Sequence, residues 1–237
     1  MQTVAFHSAW VVDGAPATGT GAIGELFQTQ RAARRIADEI AGAPGDLLID
    51  VLSEATSEAR ERDNEDERVL ELQAIAQILG QIEGPRAVDA LIDLLGSEEP
   101  SARQAAGVII EETAFERFKE VALGVERALA KLPPEHLALS ELPYLLMEIP
   151  EPGVSKLMQR FLEHTNAEVV AAAIEATVEM GDVASASRLG KLEKDTRLVE
   201  LDDDEHDGHD HPTSVTIGDL AKEARLMLEA MGTEDNP

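Results

Sequence analysis

The sequence predicts an all-α chain built from repeated pairs of helices, an α-solenoid. The first observation is composition: the 237 residues are 43% hydrophobic but only 3% aromatic, so the core must be packed mainly from Ala, Leu, Ile and Val. The second is an apolar spacing that recurs six times along the chain at similar intervals. The third is that further apolar segments, suited to a second set of helices, lie between these recurrences.

The recurring pattern places apolar residues 1, 5, 8 and 12 positions before an anchor residue, which is the spacing of one face of an α-helix. Before Gly181 these positions hold Met180, Ala176, Ala173 and Val169. The six anchors are Ala41, Gly80, Ala114, Pro150, Gly181 and Gly232. Since most anchors are Gly or Pro, which commonly follow helix C-termini, we expect six striped helices to end near them.

The intervals between anchors are 39, 34, 36, 31 and 51 residues. The first four are typical of two-helix repeats. The stripe before Gly80 contains one exception, Arg68, and the stripe before Gly232 consists of Leu220, Ala224, Met227 and Met231. The fifth interval is too long for a single repeat, which indicates an insertion.

Second helices are predicted between the striped ones. The segments concerned are 47–60, 85–96, 115–132, 153–164 and 183–195. Pro85 suits the first position of its helix because the missing N–H has no intrahelical partner there. Connections are short, as between helices that pack side by side. About five helix pairs are therefore expected within residues 24–194.

The long interval contains residues 195–214, which we predict to be an acidic, histidine-rich insertion loop. Its central part, 201–211, reads LDDDEHDGHDH. After it, a helix over residues 215–232 is expected to cap the array, with Thr216 and Asp219 spaced as in a capping box. Residues 233–237 form a tail.

Residues 1–23 are predicted to be an N-terminal arm followed by a linker, which the Gly, Ala and Thr content makes flexible. The arm holds the only tryptophan, Trp10, with Phe6 and Val4 at alternate positions. Two interpretations remain open at this stage. The arm either folds back over the first repeat or binds a partner or a second copy.

The repeats resemble HEAT-like repeats of the phycobilisome-lyase type. Residues 78–110 match best: Arg103 occupies the repeat's arginine position, alanines follow it, and Ala87 with Val88 opens the second helix. Residues 166–182 match less completely because Val170 replaces the arginine. The resemblance implies a right-handed α-solenoid and a protein-binding scaffold rather than a particular activity.

The charge of the chain limits its partners. The formal net charge is −27, which opposes binding to nucleic-acid phosphates and to anionic membranes. Basic proteins or cations are the natural partners of such a field. The alternative interpretation is that the acidity serves solubility or adaptation to high salt.

Cysteine and hydropathy restrict the chemistry and the compartment. The chain has no cysteine, which excludes disulfides, thiolate nucleophiles and cysteine-bound zinc. No apolar run reaches the ~20 residues of a membrane helix. The first basic residue is Arg31, so we expect no secretory signal and a cytoplasmic protein.

The insertion supplies the candidate metal ligands, which are His206, His209, His211, Asp207 and Asp210. Imidazole and carboxylate groups together suit a divalent cation such as zinc or nickel. The alternative is a solvated loop, because Gly208 and the run of like charges favour flexibility.

Two enzyme families with HEAT-like folds fit the sequence poorly. Deoxyhypusine hydroxylases carry His-Glu pairs, whereas this chain has the reverse order at Glu135-His136, Glu163-His164 and Glu205-His206. An alkylpurine glycosylase would need a basic groove and aromatic side chains. We therefore expect a non-catalytic protein-binding scaffold for a basic partner, with a metal-binding or metal-regulated protein as the alternative.

Overall fold

The computed structural model describes residues 45–201 and 213–234, and before them residues 24, 27, 28, 31, 32, 35 and 36. The chain divides into two compact units, Met1–Pro44 and Gly45–Pro237. In the first unit, all the described residues are helical. Of the stripe predicted before Ala41, only Ile36 is described, and its side chain is 50% exposed. Ile36 therefore does not occupy the buried position that the stripe predicts.

The second unit is mostly helical, as predicted. Its described residues form nine α-helices and one short 3₁₀ helix, Val183–Ser185. The helices are α1 Gly45–Arg60, α2 Glu65–Gly80, α3 Pro85–Leu95, α4 Pro100–Lys131, α5 Ala138–Met147, α6 Val154–Leu162, α7 Ala167–Glu179, α8 Ala186–Leu192 and α9 Ile217–Glu234. The predicted second helices correspond to α1, α3, the end of α4, α6 and α8.

Helix α4 consists of two helical segments that meet at Arg117, whose φ of −136° and ψ of 46° are not helical. This break lies three residues beyond Ala114, where the sequence predicted one helix to end and another to begin. The side chain of Arg117 donates hydrogen bonds to the carbonyl oxygens of Gly80 (3.0 Å) and Ile82 (3.3 Å). We call residues 100–116 the first segment and residues 118–131 the second segment of α4.

The apolar stripe faces the core in α2, α4, α5 and α7. In α7, Ala173 and Ala176 are fully buried and Val169 is 2% exposed. In α2, the exception to the stripe has a structural reason: the Arg68 side chain is tied to Glu99 at 2.5 Å and donates to the carbonyl oxygen of Arg62 at 2.7 Å. The helical pattern was thus confirmed where the neighbouring helices cover it.

In α9 the prediction was wrong in orientation. The stripe residues Met227 and Met231 are each 44% exposed. The buried face is instead formed by Ile217, Ala221, Ala224 and Leu228. This face lies three positions earlier, which corresponds to a rotation of the helix by about 60°. The helix also continues through Gly232 to Glu234 rather than ending at the anchor.

The orientation of α9 is set by its first turn. Its Gly218 N–H donates to the carbonyl oxygen of Asp195 at 2.9 Å. A methyl group on Gly218 would lie 2.6 Å from the carbonyl oxygen of Glu193, so only glycine permits this approach to the backbone. Thr216 Oγ1 accepts from the Asp219 N–H at 3.0 Å and donates to its carboxylate at 2.6 Å, which confirms the predicted cap.

Two short strands replace the ends of the predicted insertion loop. Strand β1, Leu198–Leu201, pairs antiparallel with β2, Thr213–Thr216, so that Leu198 lies opposite Thr216 and Leu201 opposite Thr213. Val199 is only 5% exposed, and β1 packs on α7. The prediction of a loop over the whole of 195–214 was therefore wrong at both flanks. Its centre, residues 202–212, lies outside the described residues.

Glycines mark the closest approaches between helices. A methyl group on Gly80 of α2 would lie 2.5 Å from Cγ2 of Ile109 in the first segment of α4. The same segment of α4 packs on Leu145 of α5 through Gly107. The second segment of α4 packs on α3 through Gly124 and Val88. The helices therefore contact mainly their neighbours along the chain, and the two segments of α4 contact different helices.

Candidate functional site

The metal ligands predicted from the sequence, His206, His209, His211, Asp207 and Asp210, lie outside the described residues. The metal-site hypothesis therefore stays a prediction. Within residues 45–201 and 213–234, the structure places no group of three or more His, Cys, Asp or Glu side chains where they could hold a metal ion. The described surfaces that could bind another molecule are an ion-paired belt, a polar pocket and an apolar groove.

The belt of ion pairs crosses the second helices α1 and α3 and the second segment of α4. Asp50 and Arg60 of α1 pair with Arg86 and Asp93 of α3, the latter contact at 2.9 Å. Asp89 of α3 then pairs with Arg127 of α4 at 2.7 Å. Because these charges are largely satisfied between helices, the belt stabilises neighbouring helices more than it attracts a ligand.

Polar side-chain contacts between helices join residues that lie 31 to 42 positions apart in the sequence. Arg68 and Glu99 are separated by 31 residues, Arg60 and Asp93 by 33 residues. Arg127 reaches back 42 residues to the carbonyl oxygen of Pro85. Arg103 makes local hydrogen bonds instead, since it donates to the carbonyl oxygens of Ser97 (2.9 Å) and Glu98 (3.1 Å) in the turn before its own helix. The side chains of Arg60, Arg68 and Arg127 therefore hold together segments that are distant in the sequence.

The charges of the later helices are divided between the two kinds of helix. Helices α5 and α7 carry carboxylates and no lysine or arginine. Helices α6 and α8 carry Lys156, Arg160, Arg188 and Lys191 and no carboxylate. The net charge of −27 is therefore unevenly distributed, because basic helices alternate with acidic ones from α5 to α8.

An apolar groove lies between the start of α3 and the second segment of α4. It has a volume of about 720 Å³, and its lining includes Pro85, Phe118, Leu123, Lys119 and Arg127. Leu123 is 46% exposed, although it is a large apolar side chain. A smaller cavity of about 120 Å³ shares Arg127 with the groove and extends the lining to Ile92 and Lys131. We call the two together the α4 groove.

Two of the three carboxylates that line the α4 groove are held by the protein itself, and the third, Glu116, is exposed and forms no ion pair within the described residues. Glu120 accepts a hydrogen bond from the Gly84 N–H at 2.6 Å and lies 3.4 Å from Arg117. Asp89, at the other end, is paired with Arg127 at 2.7 Å. Lys119 and Lys131 form no ion pair within the described part of the chain. The groove therefore offers two free cations and one free carboxylate, Glu116, beside its apolar surface.

A polar pocket of about 490 Å³ lies between the end of α3 and the turn before α5. Its lining includes Arg60, Arg68, Ser97, Glu99 and His136. Both arginines are engaged in ion pairs. The Nδ1 atom of His136 is buried and has no hydrogen-bond partner among the described residues. The pocket can accept a small polar molecule, and among its carboxylates the exposed Glu98 forms no ion pair within the described residues.

One titratable group links the acidic helices α5 and α7. The hydroxyl of Tyr144 in α5 donates to a carboxylate oxygen of Glu175 in α7 at 2.7 Å. Burial, followed by this hydrogen bond and the carboxylate's charge, raises the pKa of Tyr144 above its ordinary value. The phenol therefore stays protonated as a donor throughout the physiological pH range.

A second polar cluster fixes the approach to β1. The Arg197 guanidinium donates to the carbonyl oxygens of His164 (2.9 Å) and Thr165 (2.6 Å), and it pairs with Asp195 at 2.5 Å. The hydrogen bond from Arg197 lowers the pKa of Asp195. Burial and the nearby Arg197 charge lower the pKa of His164, whose Nδ1 accepts from the Asn166 N–H at 3.2 Å. A neutral imidazole is therefore part of the turn between α6 and α7.

Comparison of the chain with protein-family models, with curated proteins and with solved structures finds no match. Nor does the described part of the chain contain a helix with the length and apolar character needed to cross a membrane. Conclusions about function therefore rest on the surfaces of this molecule.

The sequence interpretation missed the α4 groove and the division of charge. It treated the net charge as a property of the whole chain. The available signal was the charge of each predicted helix taken separately: residues 153–162 and 183–192 contain Lys and Arg but no Asp or Glu. The groove gave no such signal, because it depends on how Phe118 and Leu123 are left uncovered by α3.

Proposed function

We propose that residues 45–234 form a right-handed α-solenoid of HEAT-like helix pairs and act as a non-catalytic protein-binding scaffold. The observation that carries the proposal is the pattern of contacts. Helices pack mainly on their neighbours in sequence, and side-chain hydrogen bonds between helices span 31 to 42 residues. Such nearest-neighbour packing is what an array of repeats requires, and it leaves an extended surface along each set of helices.

In each helix pair we call the first member the first helix, which gives α2, the first segment of α4, α5 and α7. The partner that we propose for these first helices is a basic protein. Glu112, Glu148, Glu168 and Glu179 are exposed on or beside α4, α5 and α7. None of these four carboxylates forms a salt bridge within the described residues. Free carboxylates at successive repeats would attract a basic surface and raise its rate of association.

The test compares two variants that lose the same number of charges. One carries Glu112→Gln, Glu148→Gln, Glu168→Gln and Glu179→Gln. The control carries Glu54→Gln, Glu58→Gln, Glu126→Gln and Glu163→Gln, which are exposed positions on or beside the second helices. Each tagged chain is used for co-purification from its host, and the basic protein recovered is then titrated against both variants by calorimetry.

We expect the first variant to bind the basic protein at least about tenfold more weakly and the control to bind within about twofold of the wild type. Raising the salt concentration should weaken the wild-type complex, because the Debye length shortens to about 8 Å at 0.15 M. Equal losses in both variants would refute the proposal, since the affinity would then follow total charge and not the first-helix surface.

A further inference from the structure

We infer that the α4 groove binds an acidic amphipathic segment of a partner protein, with apolar side chains in the groove and carboxylates at its two ends. This surface differs from the one proposed for the basic partner in position and in sign. It carries free lysines, whereas the first helices carry free carboxylates. The chain would thus bind two partners of opposite charge on different helices.

The apolar part of the groove sets the first requirement on the partner. Pro85, Phe118 and Leu123 line a volume of about 720 Å³, which is within the range of sites that accept large side chains. Leu123 is 46% exposed, so a partner's apolar side chain would remove apolar surface from water. A nucleic-acid strand would present phosphates and sugars to this surface instead.

The charges set the second requirement. Two of the groove's own carboxylates, Glu120 and Asp89, are held by Gly84, Arg117 and Arg127. The charges left for a partner are Lys119, Lys131 and the exposed Glu116, so cations outnumber carboxylates. The two lysines are twelve positions apart on one continuous helical segment, or about 18 Å along its axis. A partner helix of about three turns with carboxylates at both ends matches that spacing.

The groove lies next to a second basic helix. A methyl group on Gly153, just before α6, would lie 2.5 Å from Cε1 of Phe118, so the start of α6 is in contact with the second segment of α4. Exposed Lys156 and Arg160 follow on α6, which carries no carboxylate. The cations on and beside the groove, which are Lys119, Lys131, Lys156 and Arg160, therefore outnumber the one unpaired carboxylate of its lining, Glu116, although the chain as a whole is strongly negative.

The probe is a fluorescein-labelled helical peptide of about 16 residues, long enough to form a helix on binding, with one leucine face flanked by glutamates. Binding is measured by fluorescence anisotropy with the full chain. The variants are Lys119→Glu, Lys131→Glu and Leu123→Asp. The control is Lys222→Glu, which makes the same charge change at an exposed position of α9. Far-UV circular dichroism establishes that each variant is folded.

We expect each groove variant to weaken peptide binding at least about tenfold and Lys222→Glu to change it by less than about twofold. Added salt should weaken binding, since the local lysines attract the peptide; a uniform field of −27 would instead make binding stronger as salt screens the repulsion. Equal losses from Lys119→Glu and Lys222→Glu, or tighter binding in salt, would overturn the inference.

Two further probes separate the other possible occupants. A single-stranded DNA of equal charge that binds more tightly than the peptide would overturn the inference in favour of nucleic acid. A peptide of residues 201–211 that displaces the amphipathic probe would overturn it in favour of the chain's own acidic segment, which carries acids but little apolar surface. The Glu→Gln variants of the first helices should leave binding of the probe undiminished, so this test and that of the basic partner can fail independently.

Discussion

Two acidic helices, α5 and α7, alternate along the chain with two basic helices, α6 and α8. Both kinds bury apolar residues: Ala173 of α7, Phe161 of α6 and Leu189 of α8 are each fully buried. The exposed residues differ completely, since α7 shows Glu168, Glu175 and Glu179 and α6 shows Lys156 and Arg160. The packing of a helix thus leaves the charge of its exposed face free to vary.

The earlier second helices, α1 and α3, differ from α6 and α8 in how their charges are paired. On α1 and α3, five charged residues, Asp50, Arg60, Arg86, Asp89 and Asp93, are engaged in ion pairs between helices, whereas Glu54 and Glu58 of α1 are exposed without one. From Lys119 onward, the lysines of the second helices have no such partner in the described structure. The contrast between acidic and basic helices is therefore a property of the second half of the molecule.

The largest effect is expected from Ala173→Asp. Ala173 is fully buried on α7, opposite the exposed Glu175. A carboxylate there would be buried without a partner, which should lower the free energy of unfolding by at least about 3 kcal/mol. The melting temperature should fall by about 10 °C, as measured by circular dichroism.

The control for this prediction is Ala74→Asp, the same substitution at an exposed position of α2. It should cost only the difference in helix propensity, about 0.7 kcal/mol. Equal destabilisation by both substitutions would contradict the assignment of buried and exposed helix faces, and the contrast of charges would lose its structural basis.

Smaller effects on the free energy of unfolding, of opposite sign, are expected from alanine substitutions at two glycines, Gly218 and Gly190. Gly218→Ala would bring a methyl group to 2.6 Å from the carbonyl oxygen of Glu193, just after the basic helix. Because backbone must move, we expect a loss of about 2 kcal/mol in the free energy of unfolding. Denaturant titration followed by circular dichroism measures it.

The matched substitution Gly190→Ala lies within α8 itself. A methyl group there would meet only Arg225 Cδ at 3.6 Å, which is an ordinary contact. Alanine should therefore stabilise the helix by up to about 1 kcal/mol. If both substitutions had the same sign, the close contact between α9 and the end of the basic helix would be wrong.

Much of this fold follows from the sequence because a helical stripe is a local signal. Leu72 and Leu79 of α2 are buried where the spacing predicts them. The orientation of α9 could not be predicted, since it depends on the hydrogen bond from the Gly218 N–H to the carbonyl oxygen of Asp195, more than twenty residues earlier. The hairpin was missed for a similar reason: Val199 and Val215 pair across residues that are distant in the sequence, although LVEL and TSVT contain the β-branched residues typical of strands.

The candidate site was predictable only in part. The charge of each helix could be read from the predicted segments, so the basic α6 and α8 were within reach of the sequence. The exposure of Leu123 and the hydrogen bond from Gly84 to Glu120 could not be predicted, because both depend on the packing of α3 against α4. That packing also determines which carboxylates are already engaged, and hence which lysines remain free.

An effect of about 1–2 kcal/mol on the free energy of unfolding is expected from Arg197→Lys. Arg197 joins the turn that follows basic α6 to β1 through His164, Thr165 and Asp195. Lysine keeps the charge but cannot donate to three groups in a fixed plane. A control, Arg188→Lys on α8, removes no hydrogen bond found in the described structure and should leave the melting temperature unchanged; equal losses would contradict this role for the guanidinium.

The smallest effect concerns pH and tests the turn between basic α6 and acidic α7. The folded protein lowers the pKa of His164 below its ordinary value of about 6.5, so the unfolded chain binds more protons than the folded one as pH falls below that value. The contribution of the neutral imidazole to stability is therefore fully present above about pH 6.5 and is lost as the pH falls through the folded pKa.

His164→Gln removes this titration and retains an oxygen that can accept from the Asn166 N–H. Between pH 7.5 and 5, the melting temperature of the wild type should fall more than that of the variant, by about 1–2 °C. Parallel pH profiles of the two proteins would show that the imidazole is not held neutral by burial and Arg197.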